Sequence, residues 1–178
     1  MTTQTKPQTT PGGKASLRWM TVTAMLMAMN VALSSFGVPV PGGHLYLNDI
    51  VICTASILLD PFGAFLVGGV GAFLGDFFFY PAPMFVSLAT HGLQAIVISL
   101  CVRHTLKDRK ILGAGLGVFL GAIIMVTGYS LGRALLYSTP EYALLKLPFQ
   151  ILQAAVGAIT AMILCFRFQL LERYRKLS

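Results

Sequence analysis

Long apolar runs, separated by short polar or Pro/Gly-rich breaks, dominate the chain from Leu17 onward. A membrane-spanning helix needs about 20 mostly apolar residues, and fewer where its neighbours bury it. On that measure six helices are predicted, at about Leu17–Phe36, Tyr46–Leu59, Phe62–Phe79, Met84–Val102, Ile111–Tyr137 and Tyr142–Phe168. Asp60-Pro61-Phe62-Gly63 reads as a tight turn, and Tyr80-Pro81-Ala82-Pro83 breaks the chain again. The second and third runs have an alternative as one hairpin that does not fully cross. The expected fold class is all-α: a six-helix transmembrane bundle forming one domain over residues 17–178. A polar tail over residues 1–16, rich in Thr, Pro and Gly, is expected to be disordered. The first apolar run is long enough to span and lacks a small-residue cleavage site, so it does not read as a removable signal.

Small residues recur at four-residue spacing: Ala24, Ala28 and Ala32 in the first run, Gly71 and Gly75 in the third, and Gly113, Gly117 and Gly121, then Gly128 and Gly132, in the fifth. Such faces allow close helix approach in lipid. Packing within the bundle explains most of them; the alanine stripe suits a partner's helix equally well.

Composition supports the membrane reading. The chain of 178 residues is 56% hydrophobic and 11% charged, against about 25% charged in soluble domains. Of 13 Lys and Arg, all but two lie in three places: the N-terminal tail, the stretch from Arg103 to Lys110, and the C-terminal tail from Arg167. The net charge of +7 therefore flanks apolar runs, which reads as topology rather than nucleic-acid binding. Lys14 and Arg18, then Arg103, Lys107, Arg109 and Lys110, then Arg167, Arg173, Arg175 and Lys176, all fall on one side of a six-span chain. The opposite loops, Gly37 to Leu45, Tyr80 to Pro83 and Ser138 to Glu141, contain neither Lys nor Arg. By the positive-inside rule both termini are expected to be cytoplasmic, in a multi-pass protein of the bacterial inner membrane. Cys53, Cys101 and Cys165 lie in apolar runs, are odd in number and form no CxxC pair, so they read as small hydrophobes rather than a disulfide or metal framework.

Polar groups inside a membrane are costly and mark function. With this orientation Asn48 and Asp49, Asp76, His91, Gln94, Tyr129, Arg133, Gln150 and Gln153 all fall in the outer part of the bundle, and Asn30 near the middle of the first helix. The inner halves hold only Thr, Ser, Cys and apolar residues. Such one-sided polarity predicts a cup open to the outside and sealed below, not a continuous pore. The expected substrate-binding residues are Asn48, Asp76, His91, Gln94, Tyr129, Arg133, Gln150 and Gln153. His44 and Tyr46 follow Pro39-Val40-Pro41-Gly42-Gly43, an outer loop placed to act as a lid. Tyr46, Phe79 and Tyr80 are placed to stack on a ring-bearing ligand. Each residue has a plainer alternative: an Asp76–Arg133 ion pair, Asp49 as a helix cap beside Asn48, the glutamines as structural bridges between helices, and His91 as a hydrogen-bonded core residue.

Gly128-Tyr129-Ser130-Leu131-Gly132 matches GxSxG, but that nucleophile elbow needs a strand–turn–helix setting and this stretch reads as mid-helix. Walker A, HExxH and Cys/His cluster patterns are absent. The chain is expected not to be an enzyme, to bind no cofactor or metal of its own, and to be unable to hydrolyse ATP by a P-loop mechanism.

Several stretches resemble the substrate-binding S components of energy-coupling factor (ECF) transporters: Gly42 to Val51, Leu58-Leu59-Asp60-Pro61-Phe62-Gly63-Ala64, Gly68 to Asp76, Tyr80-Pro81, His91-Gly92-Leu93-Gln94, Gly128 to Tyr137, and Leu147-Pro148-Phe149-Gln150-Ile151-Leu152-Gln153 with Gly157. Their order and spacing cover nearly the whole span from the first helix to the sixth. The resemblance implies a vitamin-binding membrane subunit that works with a transmembrane coupling protein and two ATPase subunits, the latter using ATP. It also implies that Ala24 and Ala28, with Ala32 extending the stripe, dock the coupling protein. Arg133 and Gln94 depart from the acidic residues usual in relatives, and Arg133, if unpaired, favours a ligand with a carboxylate or phosphate. The competing classes are a self-sufficient secondary transporter or channel, and a scaffold subunit without a ligand.

Overall fold

The structure, a computed structural model, describes residues 17–105 and 109–177; the tail expected over residues 1–16, with Lys14, and also Lys107 lie outside the described residues. Seven helices are present among the described residues: α1 Leu17–Ser34, α2 Asn48–Leu58, α3 Pro61–Phe79, α4 Met84–His104, α5 Lys110–Tyr137, α6 Pro140–Arg167 and α7 Leu170–Leu177. Five of them, α1 and α3 to α6, are long and apolar enough to cross a bilayer. The protein is thus a helical membrane protein with several spans.

The second apolar run forms an 11-residue helix, about 16 Å long at 1.5 Å per residue and short of the roughly 30 Å hydrocarbon core. What it lacks in length it gains in enclosure. Ten of its 11 residues are buried, and α1, α3, α4 and α6 pack around it. A helix apolar on all sides is stable only when surrounded in this way. The turn Asp60-Pro61 starts α3 for a local reason: the Asp60 carboxylate accepts from the Phe62 amide at 3.3 Å, and Pro61 occupies the first turn, where its missing N–H costs nothing. Trp19 Nε1 donates to the same carboxylate at 2.5 Å, tying α1 to this cap.

Wide i→i+5 turns interrupt three long helices, at Leu66–Val70, Arg133–Tyr137 and Ile163–Arg167. Such turns disturb the backbone ladder, and in lipid every freed group needs a partner. At the first of them Asn30 Nδ2 donates to the Val67 carbonyl at 2.6 Å, which gives the mid-helix asparagine of α1 a structural role.

Two elements differ from the predicted pattern. The Pro/Gly-rich outer loop contains an antiparallel hairpin, β1 Val38–Val40 and β2 Gly43–Leu45, with Val38 opposite Leu45. Pro41 and Gly42 make its turn, and Gly42 (φ 80°) and Gly43 (φ 145°), the first residue of β2, adopt a conformation open to residues without a Cβ. Beyond the predicted end of the sixth helix at Phe168, Gln169 turns the chain at φ 57° and α7 follows. The basic residues there had read as a tail, but Leu171 and Tyr174, one turn apart, pack on the core while Arg173 and Lys176 stay exposed.

The apolar core lies away from the hairpin. Ile57, Leu58 and Leu59 at the end of α2, Ile98 and Val102 of α4, Val118 of α5 and Cys165 of α6 pack there as a plug. Cys53 and Cys165 are buried and all three cysteines are free. The glycine stripe of α5 faces α4: a Cβ at Gly121 would fall 2.7 Å from Ile98 Cδ1, and one at Gly132 2.6 Å from Val86 Cγ1. Gly157 does the same for α6 on α2, where an added Cβ would lie 2.6 Å from Asp49 Cβ and 3.1 Å from its carbonyl carbon.

Gly157→Ala should therefore overpack the α2–α6 contact and lower stability by about 1–3 kcal/mol. Gly115→Ala, where no neighbouring atom lies within 4 Å, should melt at or slightly above wild type through helix propensity alone. Thermal unfolding of both variants in detergent checks the pair.

Candidate functional site

At the hairpin end, the six helices of the bundle surround one cavity holding about 600 Å³ of space free of protein atoms, its open mouth included. Every helix from α1 to α6 contributes a wall residue: Ser34, Asn48, Asp76, His91, then Met125, Tyr129, Arg133 and Tyr137 of α5, and Lys146, Gln150 and Gln153 of α6. Gly43, His44 and Tyr46 form the roof, with Tyr80 and Pro83 beside them.

Behind the wall lies a buried carboxylate. Asp49, only 1% exposed, accepts from Gln153 Nε2 at 2.6 Å and from Gln94 Nε2 at 3.3 Å. His91 Nδ1 stands 3.8 Å from the same carboxylate. The cap expected for Asp49 is not formed: Leu47 precedes the helix and no side chain makes a capping bond. Asp49 turns inward because Gly157 gives it room and two glutamines and a histidine give it partners.

An ionised carboxylate only accepts, so it orients both amides. With its NH₂ committed to Asp49, Gln94 presents Oε1 to His91 Nδ1 at 2.6 Å. That nitrogen must then carry a proton and donate to Gln94. Likewise Gln153 presents Oε1 to the Tyr46 amide at 3.0 Å, which anchors the chain between the hairpin and α2. Gln94 itself is fully buried and does not reach the cavity; it acts on the site through His91.

The other wall is built around Ser87 of α4, absent from the predicted set. Its hydroxyl bonds the Asp76 carboxylate and lies 2.5 Å from Tyr129 Oη. The Tyr129 ring in turn meets His91 edge-on at 5.2 Å between centroids. Asp76, Ser87, Tyr129, His91, Gln94, Asp49, Gln153 and the Tyr46 amide thus form a continuous polar chain through five helices. Asp76 and Arg133 do not pair; among the described residues the one basic side chain within 4.0 Å of a carboxylate is His91, at Asp49. Gln150 bridges helices, donating to the Val126 carbonyl at 3.0 Å and the Met125 carbonyl at 3.3 Å, while also lining the cavity.

Arg133 and Lys146 hold the roof. Arg133 Nη1 donates to the Gly42 carbonyl at 2.8 Å, and Lys146 donates to the His44 carbonyl. The turn fits tightly between α5 and α6: a Cβ at Gly42 would fall 2.9 Å from the Lys146 backbone nitrogen and 3.0 Å from the Tyr142 carbonyl. Lys146 was missed by sequence reasoning, although a lysine inside Leu144-Leu145-Lys146-Leu147 is the kind of intramembrane charge that marks a site. Aromatic rings gather near the mouth, with His44 6.2 Å from Tyr46 and 6.4 Å from Tyr80, and Arg133 Cζ 5.3 Å over the Tyr137 ring. Burial, reinforced by the Asp76 charge, pushes the Tyr46 phenol above its ordinary pKa, so it remains a protonated donor at neutral pH.

Among the atoms buried without a partner are Asn48 Oδ1, Arg133 Nε and Tyr137 Oη. All three belong to wall residues. Buried polar atoms are normally satisfied, so unpaired ones in a cavity wall suit a polar ligand. Ser130, the central residue of the GxSxG match, lies within the continuous helix α5 and its hydroxyl has no partner, so the elbow that the motif requires is not formed. Ala24, Ala28 and Ala32 lie on the exposed face of α1 and do not line the cavity.

A helical membrane bundle with one polar cavity at one end and apolar packing beneath it has the plan of a solute-binding transport subunit. The family described as ECF-type riboflavin transporter, S component, matches residues 14–170. The chain belongs to that family, and so to the substrate-binding S components of ECF transporters. No curated protein matches it.

Asp49→Ala should strand both glutamine amides, at about 1–3 kcal/mol for each buried donor left unpaired. Thermal unfolding should place it well below Asp49→Asn, which keeps one acceptor.

Proposed function

We propose that this subunit captures a flavin, riboflavin or a close derivative, from the outer side of a bacterial inner membrane and delivers it inward with partner subunits. The observation that carries this reading is the single cavity walled by all six bundle helices, in a chain matched to riboflavin S components over residues 14–170. A flavin presents a flat ring system and a polyhydroxylated chain. Tyr46, Tyr80, Tyr129 and Tyr137 offer rings for the first. Asn48, Asp76, His91, Gln150 and Gln153 offer donors and acceptors for the second. The hairpin with His44 and Tyr46 serves as the lid.

The basic residues near both ends of the chain and in the α4–α5 connection favour six crossings with both termini cytoplasmic, α2 crossing as a short, shielded span. The cavity then faces outward. Beneath it lies the apolar plug, so binding alone does not move the solute inward. Release needs a second conformation stabilised by work done elsewhere. A transmembrane coupling protein and two ATPase subunits supply that work, using ATP, while this chain binds no cofactor. Ala24, Ala28 and Ala32 form the docking face; they are exposed and flanked by exposed Met25 and Met29.

Titration of purified protein with riboflavin should quench flavin fluorescence to a saturable end point. His91→Ala and Tyr129→Ala should each weaken binding tenfold or more, about 1.4 kcal/mol. Ala28→Trp should leave that affinity intact yet abolish uptake in cells that supply the partners. Uptake of flavin into proteoliposomes by this chain alone would overturn the coupled mechanism in favour of a self-sufficient transporter, and absence of any flavin binding would overturn the substrate.

A further inference from the structure

We propose that Arg133, Lys146 and the hairpin backbone at Gly42 and Gly43 form an anion subsite, so that the cavity prefers a flavin phosphorylated at the end of its ribityl chain over uncharged riboflavin. The inference rests on the flavin reading and deepens it. Two cations stand on adjacent helices, α5 and α6, on either side of one turn. Lys146 is only 3% exposed. Among the described residues neither cation has a carboxylate within 4.0 Å. The nearby carboxylates are committed to the other walls, Asp49 to Gln94 and Gln153, and Asp76 to Ser87.

Each cation makes one bond to a neutral carbonyl, Arg133 to Gly42 and Lys146 to His44. A guanidinium has five donors and an ammonium three, so most of their capacity is unspent, and Arg133 Nε is buried without a partner. Latching the roof needs only a hydrogen-bond donor; a glutamine would serve. A positive charge withdrawn from water without counter-charge costs far more than that, and Lys146 is buried and Arg133 partly so. An anion placed between them removes the cost, and a phosphate monoester, with up to two negative charges and three terminal oxygens, matches two cations. Both cations and Gly43 line the cavity, and the guanidinium faces Gly43 closely enough that a Cβ added there would touch Arg133 Nη1 at 3.4 Å.

The test is titration of the purified full-length protein with riboflavin and with riboflavin 5′-phosphate, followed by flavin fluorescence. The expected result is tighter binding of the phosphate by tenfold or more, a margin lost in Lys146→Gln and kept in Lys146→Arg. Riboflavin binding as tightly as its phosphate to the wild-type protein overturns the subsite while leaving the proposed function standing. Equal weakening of both ligands in Lys146→Gln overturns it as well, since a plain latch predicts that. If neither flavin binds, the proposed function falls and the subsite falls with it. The wild-type comparison decides the matter even if Lys146→Gln does not fold.

Discussion

A carboxylate buried inside a membrane bundle must be satisfied from several directions, and the way Asp49 is satisfied organises the rest of the site. Its two oxygens draw the NH₂ groups of Gln94 from α4 and Gln153 from α6 toward α2. Each amide is then committed, and its oxygen becomes a directed acceptor on the far side. One fixes the orientation of the His91 ring through Nδ1; the other holds the backbone where the hairpin passes into α2. One short helix thereby sets the chemistry of a wall histidine and the seat of the roof. Polar networks of this kind specify a structure when every member has its partner, which is why Gly157 matters: it is the gap that lets α6 come close enough to complete the set.

Apolar and polar residues are divided along the bundle axis. At one end Ile57, Leu59, Ile98, Val102 and Val118 fill the interior; at the other the same helices carry Asp49, His91, Gln94 and Tyr129. The plug suits a receptor better than a conduit, and membership of an S-component family agrees with that division of labour. The long helices bend this pattern around wide turns, and the cost of the first is met locally by Asn30.

Much of this was legible in the sequence because a bilayer imposes a blunt criterion on length and hydropathy. The long runs became helices close to their predicted limits. The predicted polar residues gather at one cavity, except Gln94, which stands one layer behind. What escaped had physical reasons. Asp49 sits at a helix start, where short-range rules favour a cap, and only tertiary contact with Gly157 turns it inward. Two three-residue strands, one with a proline at its centre, carry too little alternation to read as a hairpin. Lys146 was hidden by its place near the end of a span, where a lysine ordinarily reaches water. The short α7 was masked by its own charge, which outweighs two apolar residues in any average. Ser87 gave no signal at all, since a lone serine in a membrane helix is ordinary.

Helix α1 has two faces with separate tasks. Ser34 touches the cavity and Asn30 grips α3, while the alanine stripe looks outward. The helix is therefore a common boundary between the ligand and whatever lies against the stripe, with no loop or flexible joint between them. Any displacement of α1 on filling the cavity would present a different outer surface, and linkage makes such an effect mutual: a partner that favours one seating of α1 alters ligand affinity by the same factor that the ligand alters the partner's. Occupancy would then be legible from the lipid side of the molecule, without the partner ever reaching the ligand.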